Sequence, residues 1–372
     1  MIKKSISLFL SMSFLLSTGC KAEEIDTVSK ASATAAAAQI SFSDISYHWA
    51  EKSIKAAVST GYVDGYDDQT FRPDQKISRA EFVKMITTSL KLPTTQVEGE
   101  WYIPYINTAV NGGLHRWSDF TSGDWNTSLT RMEMSRIVVR ATQKELQDPK
   151  YQMPDSGFLF NATKTGIMQG LSNGQLGKDE PTTRAQAITM IERILKINKG
   201  EKLPVDKNAM AYAEVEMRGT NAETVWGMRT KQFPIKDKLG DGLDLQINKM
   251  IIVDKTKSDS AFNELYYDPN PKAGTDIYVI AYHITINNLA KKGDYTIYPT
   301  FMMSMTSLPR ALTRTDDIQI FNGNDTGLHS GWIAFCVPKK DIEEILSRND
   351  VPRIDLNIPQ SFINMNEEKG EN

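Results

Sequence analysis

One three-residue pattern recurs along this chain at a near-constant interval. Ile54, Ala57 and Gly61 are spaced I-x-x-A-x-x-x-G; Ile106, Ala109 and Gly113 repeat the spacing, and Leu159, Ala162 and Gly166 repeat it with leucine in first place. Eighteen residues after each glycine stands an arginine: Arg79, Arg131 and Arg184. The period is 52 and then 53 residues, with no gap inside the aligned part. Such register constrains the fold more than any other feature. It marks three copies of one supersecondary unit, each burying its apolar face against the others.

Each unit reads as helix, loop, helix. The first helix of the first unit has apolar positions at Ile54, Ala57 and Val58 and stops at Gly61, a residue suited to a C-cap. A polar loop follows, Asp64-Gly65-Tyr66-Asp67-Asp68 in the first copy. The second helix opens on Ser78-Arg79-Ala80-Glu81, Thr130-Arg131-Met132-Glu133 and Thr183-Arg184-Ala185-Gln186. All three are capping boxes, in which Ser or Thr and Glu or Gln satisfy the first backbone groups of the helix. Apolar residues at helical spacing come next, such as Phe82, Met85 and Ile86.

Phe42-x-Asp44, His48-Trp49-Ala50, Gly61-x-x-x-Gly65-Tyr66, Phe71-x-Pro73 and Ser78-Arg79-Ala80-Glu81 together resemble an S-layer homology repeat. Units two and three are similar but more worn, and the resemblance covers about residues 42–196. It implies an all-α, three-pronged module of pseudo-threefold symmetry, with repeats at 41–92, 93–145 and 146–198. It also implies non-covalent binding of a secondary cell-wall polysaccharide, often pyruvylated. The polysaccharide-binding positions it suggests are Arg79, Arg131, Arg184, Asp44, Trp49, Glu81 and Gly65.

A physical argument points to the same arginines. If the Ser or Thr is the N-cap, each arginine is the first helical residue and faces the positive end of the helix macrodipole, at a cost of about 0.3–1 kcal/mol. An anion reverses that sign: unpaired N–H groups at a helix start and a guanidinium fork suit a carboxylate such as a pyruvate ketal's. Trp49 or Tyr66 would give a sugar ring a flat apolar face. The alternatives are structural: a solvated arginine, Asp44 as a helix cap, Trp49 as core. Asp64, Asp67 and Asp68 lack the graded spacing of a calcium loop and read as turn formers. Unit two lacks the second glycine and the Phe-x-Pro element and carries Trp125 instead. Unit three keeps Gly170, but has Leu176 in place of Phe71 and Pro154 at the Trp49 position. How many of the three grooves work stays open at this level.

The N-terminus carries Lys3, Lys4 and an apolar stretch from Leu8 to Leu16, as a secretory signal over residues 1–19 would. Leu16-Ser17-Thr18-Gly19-Cys20 resembles a loose lipobox, making Cys20 a lipidation site; cleavage after Ala22 is the alternative. Residues 20–40, rich in Ala, Ser and Thr, read as a tether. A net charge of −3 argues against nucleic acid or an anionic membrane as the main partner. With Cys20 lipidated or removed, Cys336 has no intrachain partner and reads as a small buried hydrophobe.

After a linker over 199–209, residues 210–365 hold short runs rich in Val, Ile, Tyr and Thr, with 366–372 as a tail. The runs include Met250–Val253, Ile277–Ile286, Ile318–Phe321, Trp332–Val337 and Ile354–Ile358. This predicts an all-β, immunoglobulin-like sandwich as a second domain. Tyr278 to Leu289 and Gly331-Trp332-x-x-Phe335-x-Val337-Pro338 loosely resemble immunoglobulin-like domains of secreted Gram-positive proteins. No H-E-x-x-H, C-x-x-C or G-x-S-x-G signature is present, and His283 in a strand run reads as structural. The expectation is an extracellular cell-wall binding protein, not an enzyme, with no metal, cofactor or catalytic residue. The rival is a wall-attached glycan or peptidoglycan hydrolase, because glycosidase carboxylates need no local motif.

Overall fold

The structure is a computed structural model. It describes residues 42–120, 122–240, 242–263, 276–289, 293, 295–299, 303–304, 317–356 and 361–367. The signal segment, Cys20 and the tether lie outside the described residues, as does the tail from 368.

Three helix–loop–helix units form the first half: α1 (Glu51–Ser59) and α2 (Arg79–Ser89), α3 (Ile103–Asn111) and α4 (Arg131–Arg140), α5 (Asp155–Lys164) and α6 (Arg184–Asn198). The helices pack between units, α1 on α6, α3 on α2 and α5 on α4. Gly61, Gly113 and Gly166 follow the first helices with φ of 76°, 69° and 75°, the left-handed turn that glycine adopts without strain. Capping boxes at Ser78, Thr130 and Thr183 start the second helices, each closed reciprocally by Glu81, Glu133 or Gln186.

The units close on each other through a ring of backbone hydrogen bonds just before these caps. Ile77 N–H donates to Thr182 O (2.9 Å), Thr182 N–H to Leu129 O (2.8 Å), and Leu129 N–H to Ile77 O (2.9 Å). Three equivalent positions of the sequence repeat thus satisfy one another, which only a cyclic arrangement allows. Phe82, Met134, Ile137, Ala187 and Ile191 fill the shared core beneath.

The second half corrects the expected immunoglobulin-like sandwich. Its main sheet has four antiparallel strands in the order β1 (Ile235–Lys238), β2 (Leu243–Asp254), β3 (Ile277–Asn288), β7 (Gly327–Pro338). The partner on each face is partly helical. One face packs Ile252, Tyr282 and Phe335 against Trp226 of α8 (Ala222–Trp226), Ile342 of α9 (Lys339–Ser347) and Ile354 of β8 (Ile354–Leu356). The other packs Ile251, Val279, Ala281 and the buried Cys336 against Ala211 and Val215 of α7 (Lys207–Arg218). The remaining strands make small sheets: β4 (Thr296–Ile297) with β6 (Phe321–Asn322), and β5 (Met303–Ser304) with β8 and β9 (Ser361–Ile363). This is a helix-flanked antiparallel sheet, an α+β arrangement.

Helix α7 also corrects the picture of an α module followed by a separate all-β domain. Ala209, Met210 and Ala213 on one side belong to the helical core, while Ala211 and Val215 on the other belong to the sheet core. The described residues from 42 onward accordingly form one compact unit.

Candidate functional site

The three arginines point inward. Arg79 and Arg131 are each 3% exposed and Arg184 is 6% exposed. Each reaches into the loop of the next unit around the ring. Arg79 pairs with Glu133 and donates from Nη1 to Ser122 O, Ser122 Oγ and Asp124 O (3.0–3.2 Å), with its guanidinium over Phe120. Arg131 donates to Leu176 O (2.7 Å) and Gln169 O (2.6 Å). Burial pushes its pKa below the usual arginine value. Arg184 donates to Phe71 O (3.1 Å), Asp64 O (3.2 Å) and Glu81 Oε1 (3.4 Å), and lies over Tyr66 and Phe71.

The first N–H groups of these helices are not left for a ligand. Arg79 and Ala80 donate to Thr127 O and Trp125 O, Arg131 and Met132 to Glu180 O and Lys178 O, Arg184 and Ala185 to Gln75 O and Pro73 O. Loop carbonyls of the neighbouring unit therefore occupy the positive helix ends, and this removes the premise of a bare helix-terminus anion site.

The other predicted positions divide by environment. Asp44 caps no helix; its carboxylate accepts from Phe71 N–H (2.8 Å) and Arg72 N–H (2.7 Å), fastening the loop to the chain entry. Trp49 is 64% exposed and is not core. Gly65 lies so close to Phe42 that a Cβ there would sit 2.0 Å from its ring. Asp68 accepts from the Thr70 backbone and hydroxyl, as a turn former does. His283 Nδ1 lies 3.0 Å from Asn248 Nδ2, and its ring meets Trp332 edge to face.

Arg184 borders an open pocket. The pocket, about 230 Å³, lies where units one and three meet beside Trp101 of unit two, and is lined by Tyr62, Asp64, Glu81, Lys84, Trp101 and Arg184 among others. Glu81 and Lys84 are three residues apart on α2 and so share a face. Lys84 has no carboxylate partner among the described residues; its Nζ stands 5.8 Å from the Trp101 ring and 5.9 Å from that of Tyr105. Burial pushes the Tyr62 hydroxyl far above its usual range, so it stays a neutral donor.

The equivalent positions elsewhere differ. In unit two, Arg136 replaces Lys84 and is consumed by Asp155 (2.8 Å) and the Asp119 carbonyl. Beside it, burial raises the Asp119 pKa, but the adjacent His115 ring (3.3 Å) and bonds from Arg140 and Arg116 N–H outweigh this and hold it well below the carboxylate range. In unit three, Gln186 and Thr189 replace Glu81 and Lys84. The segment leading into α7 covers that loop, with Gly170 N–H donating to Asp206 Oδ2 (3.0 Å) and Gly166 packed against Pro204 O.

The S-layer homology domain family matches residues 41–83, the first of these units. The protein carries an S-layer homology domain. A cellulosome-anchoring protein of Acetivibrio thermocellus is 52% identical over 48 residues, 13% of this chain and 11% of that protein. The S-layer protein sap of Bacillus anthracis is 27% identical over 206 residues, covering 50% of this chain and 25% of its own. An amylopullulanase of Thermoanaerobacterium thermosulfurigenes is 29% identical over 175 residues, 41% of this chain but 9% of the enzyme. The chain thus spans at most a quarter of these relatives' lengths. The S-layer homology domain and its S-layer and anchoring relatives support a cell-surface location.

Lys84, Trp101 and Tyr62 were not among the residues singled out as binding positions from sequence. The available signal was the i, i+3 spacing of Glu81 and Lys84 on one helix. That Lys84 lacks an ion-pair partner among the described residues while the equivalent Arg136 has one is a property of the closed ring, and no single repeat displays it.

Proposed function

We propose that this protein is held non-covalently on bacterial cell-wall polysaccharide through the pocket between units one and three. The observation that carries this reading is Lys84, a cation without a carboxylate partner among the described residues, beside Arg184, Glu81 and the half-exposed Trp101. Ammonium and guanidinium groups suit a sugar-borne carboxylate, such as a pyruvate ketal. Asp64 and Glu81 accept from sugar hydroxyls, and the indole covers an apolar ring face. On this reading Arg79 and Arg131 act as braces between units, and binding depends on the ring they close. Repeats at 41–92, 93–145 and 146–198, and a lipid on Cys20 as a second attachment, belong to the same proposal.

Sedimentation of the full chain with purified sacculi tests it. The protein should pellet with intact sacculi and stay in solution once the non-peptidoglycan polymer is stripped. Undiminished pelleting with bare peptidoglycan would contradict the reading.

A further inference from the structure

Unit two departs from its neighbours in a way that the pocket does not use. Where units one and three have Gly65 and Gly170, it has Trp117, and its loop adds Trp125. Trp117 is 65% exposed. It is nevertheless held: its ring meets His115 at 6.1 Å and Trp125 at 6.2 Å, both edge to face. Trp125 stacks with Tyr102 at 6.3 Å, and Tyr102 meets Trp101 at 5.5 Å. Four aromatic side chains therefore run ring to ring from the wall of the pocket, at Trp101, to the exposed face of Trp117.

A surface indole costs solubility and adds little to a fold when two-thirds of it faces water. Contacts to His115 and Trp125 restrict the ring, while its 65% exposure leaves aromatic surface open to a ligand. Such a surface suits the C–H face of a pyranose. The strip is also continuous with a pocket whose cations select an acidic sugar. Its neighbours Asp124, Asn126 and Ser122 are exposed and can pair with hydroxyls.

We propose that Trp117, with Trp125 and Tyr102 behind it, is a second subsite that stacks on further sugar residues of the glycan held at the Arg184–Lys84 pocket. This rests on the function proposed above and deepens it: the protein would read a stretch of polymer and not only one acidic residue. The unit that lost the glycine loop would then serve as an aromatic platform.

Two probes test the subsite on the full chain: wall polysaccharide released from sacculi, and its single repeating-unit fragment. Trp117→Ala should weaken binding of the polymer by about tenfold and leave binding of the fragment unchanged. Trp117→Phe, which keeps a ring, should recover most of the loss. Wild-type binding of the polymer that Trp117→Ala does not alter would overturn the subsite and leave the pocket standing. Equal losses for polymer and fragment would also overturn it, because they would place Trp117 at the pocket or in the fold. If the wild-type protein binds neither probe, the pocket reading falls and the subsite with it.

Discussion

Arg79→Ala separates an internal brace from a ligand-contacting residue. The guanidinium of Arg79 is buried, pairs with a Glu133 carboxylate that is itself buried, and spends Nη1 on three acceptors in the 122–124 loop. Removing one partner of such a pair costs about 3–5 kcal/mol, because the remaining charge stays buried without compensation. Relief of a cation at a helix N-terminus returns only about 0.3–1 kcal/mol. The net expectation is a loss of roughly 3 kcal/mol, read as a lower midpoint in urea denaturation of the full chain. A sequence-only argument gives the opposite sign, a fold left intact or slightly more stable. Adding Glu133→Gln to Arg79→Ala should restore part of the loss, and the double-mutant cycle should give a coupling of at least about 1 kcal/mol. An unchanged midpoint for Arg79→Ala, or a coupling near zero, would refute the bracing argument.

Three further outcomes follow. Glu214 is fully buried, and burial pushes its carboxyl up to about 7 although Thr224 and Glu223 donate to it. Its folded-state pKa exceeds the ordinary glutamate value of 4.5, so the associated stability is present below about pH 4.5 and lost as pH rises through about 7, by at most roughly 3 kcal/mol. Glu214→Gln should flatten this part of the pH–stability curve in urea titrations, and an unaltered curve would exclude it. A fragment of residues 42–198 should denature at lower urea than one of residues 42–219, since α7 gives Met210 to the helical core and burying that side chain alone is worth about 1.5–3 kcal/mol. Intact-mass measurement should find the mature chain beginning at a lipid-modified Cys20, and an unmodified Glu23 terminus would remove the anchor.

The helical half was legible because its signals are local and occur three times. Capping boxes at Ser78, Thr130 and Thr183, and the glycines that follow the first helices, stand where the sequence puts them. The second half was misread for a physical reason. Leu243–Asp254 and Ile277–Asn288 do form long strands, but periodicity cannot say what covers a sheet. Lys207–Arg218 was split between an expected linker and an expected strand region. Its small residues Ala209, Ala211 and Ala213 alternate between two cores, a pattern that gives no strong apolar stripe. Arg79, Arg131 and Arg184 look identical in sequence, and only the ring shows what each one meets. Their neighbours in the next unit, Glu133, Leu176 and Glu81, decide which side chains are consumed internally.

The most direct measurement is the affinity of Lys84→Glu for wall polysaccharide, by titration calorimetry beside a thermal melt of the same sample. Lys84 has no ion pair among the described residues, so reversing its charge should leave the melt nearly unchanged. Losing a charge-assisted contact costs about 1.5–3 kcal/mol, which predicts affinity reduced by at least tenfold. A folded Lys84→Glu protein that binds the polymer as tightly as wild type would contradict the assignment of the pocket.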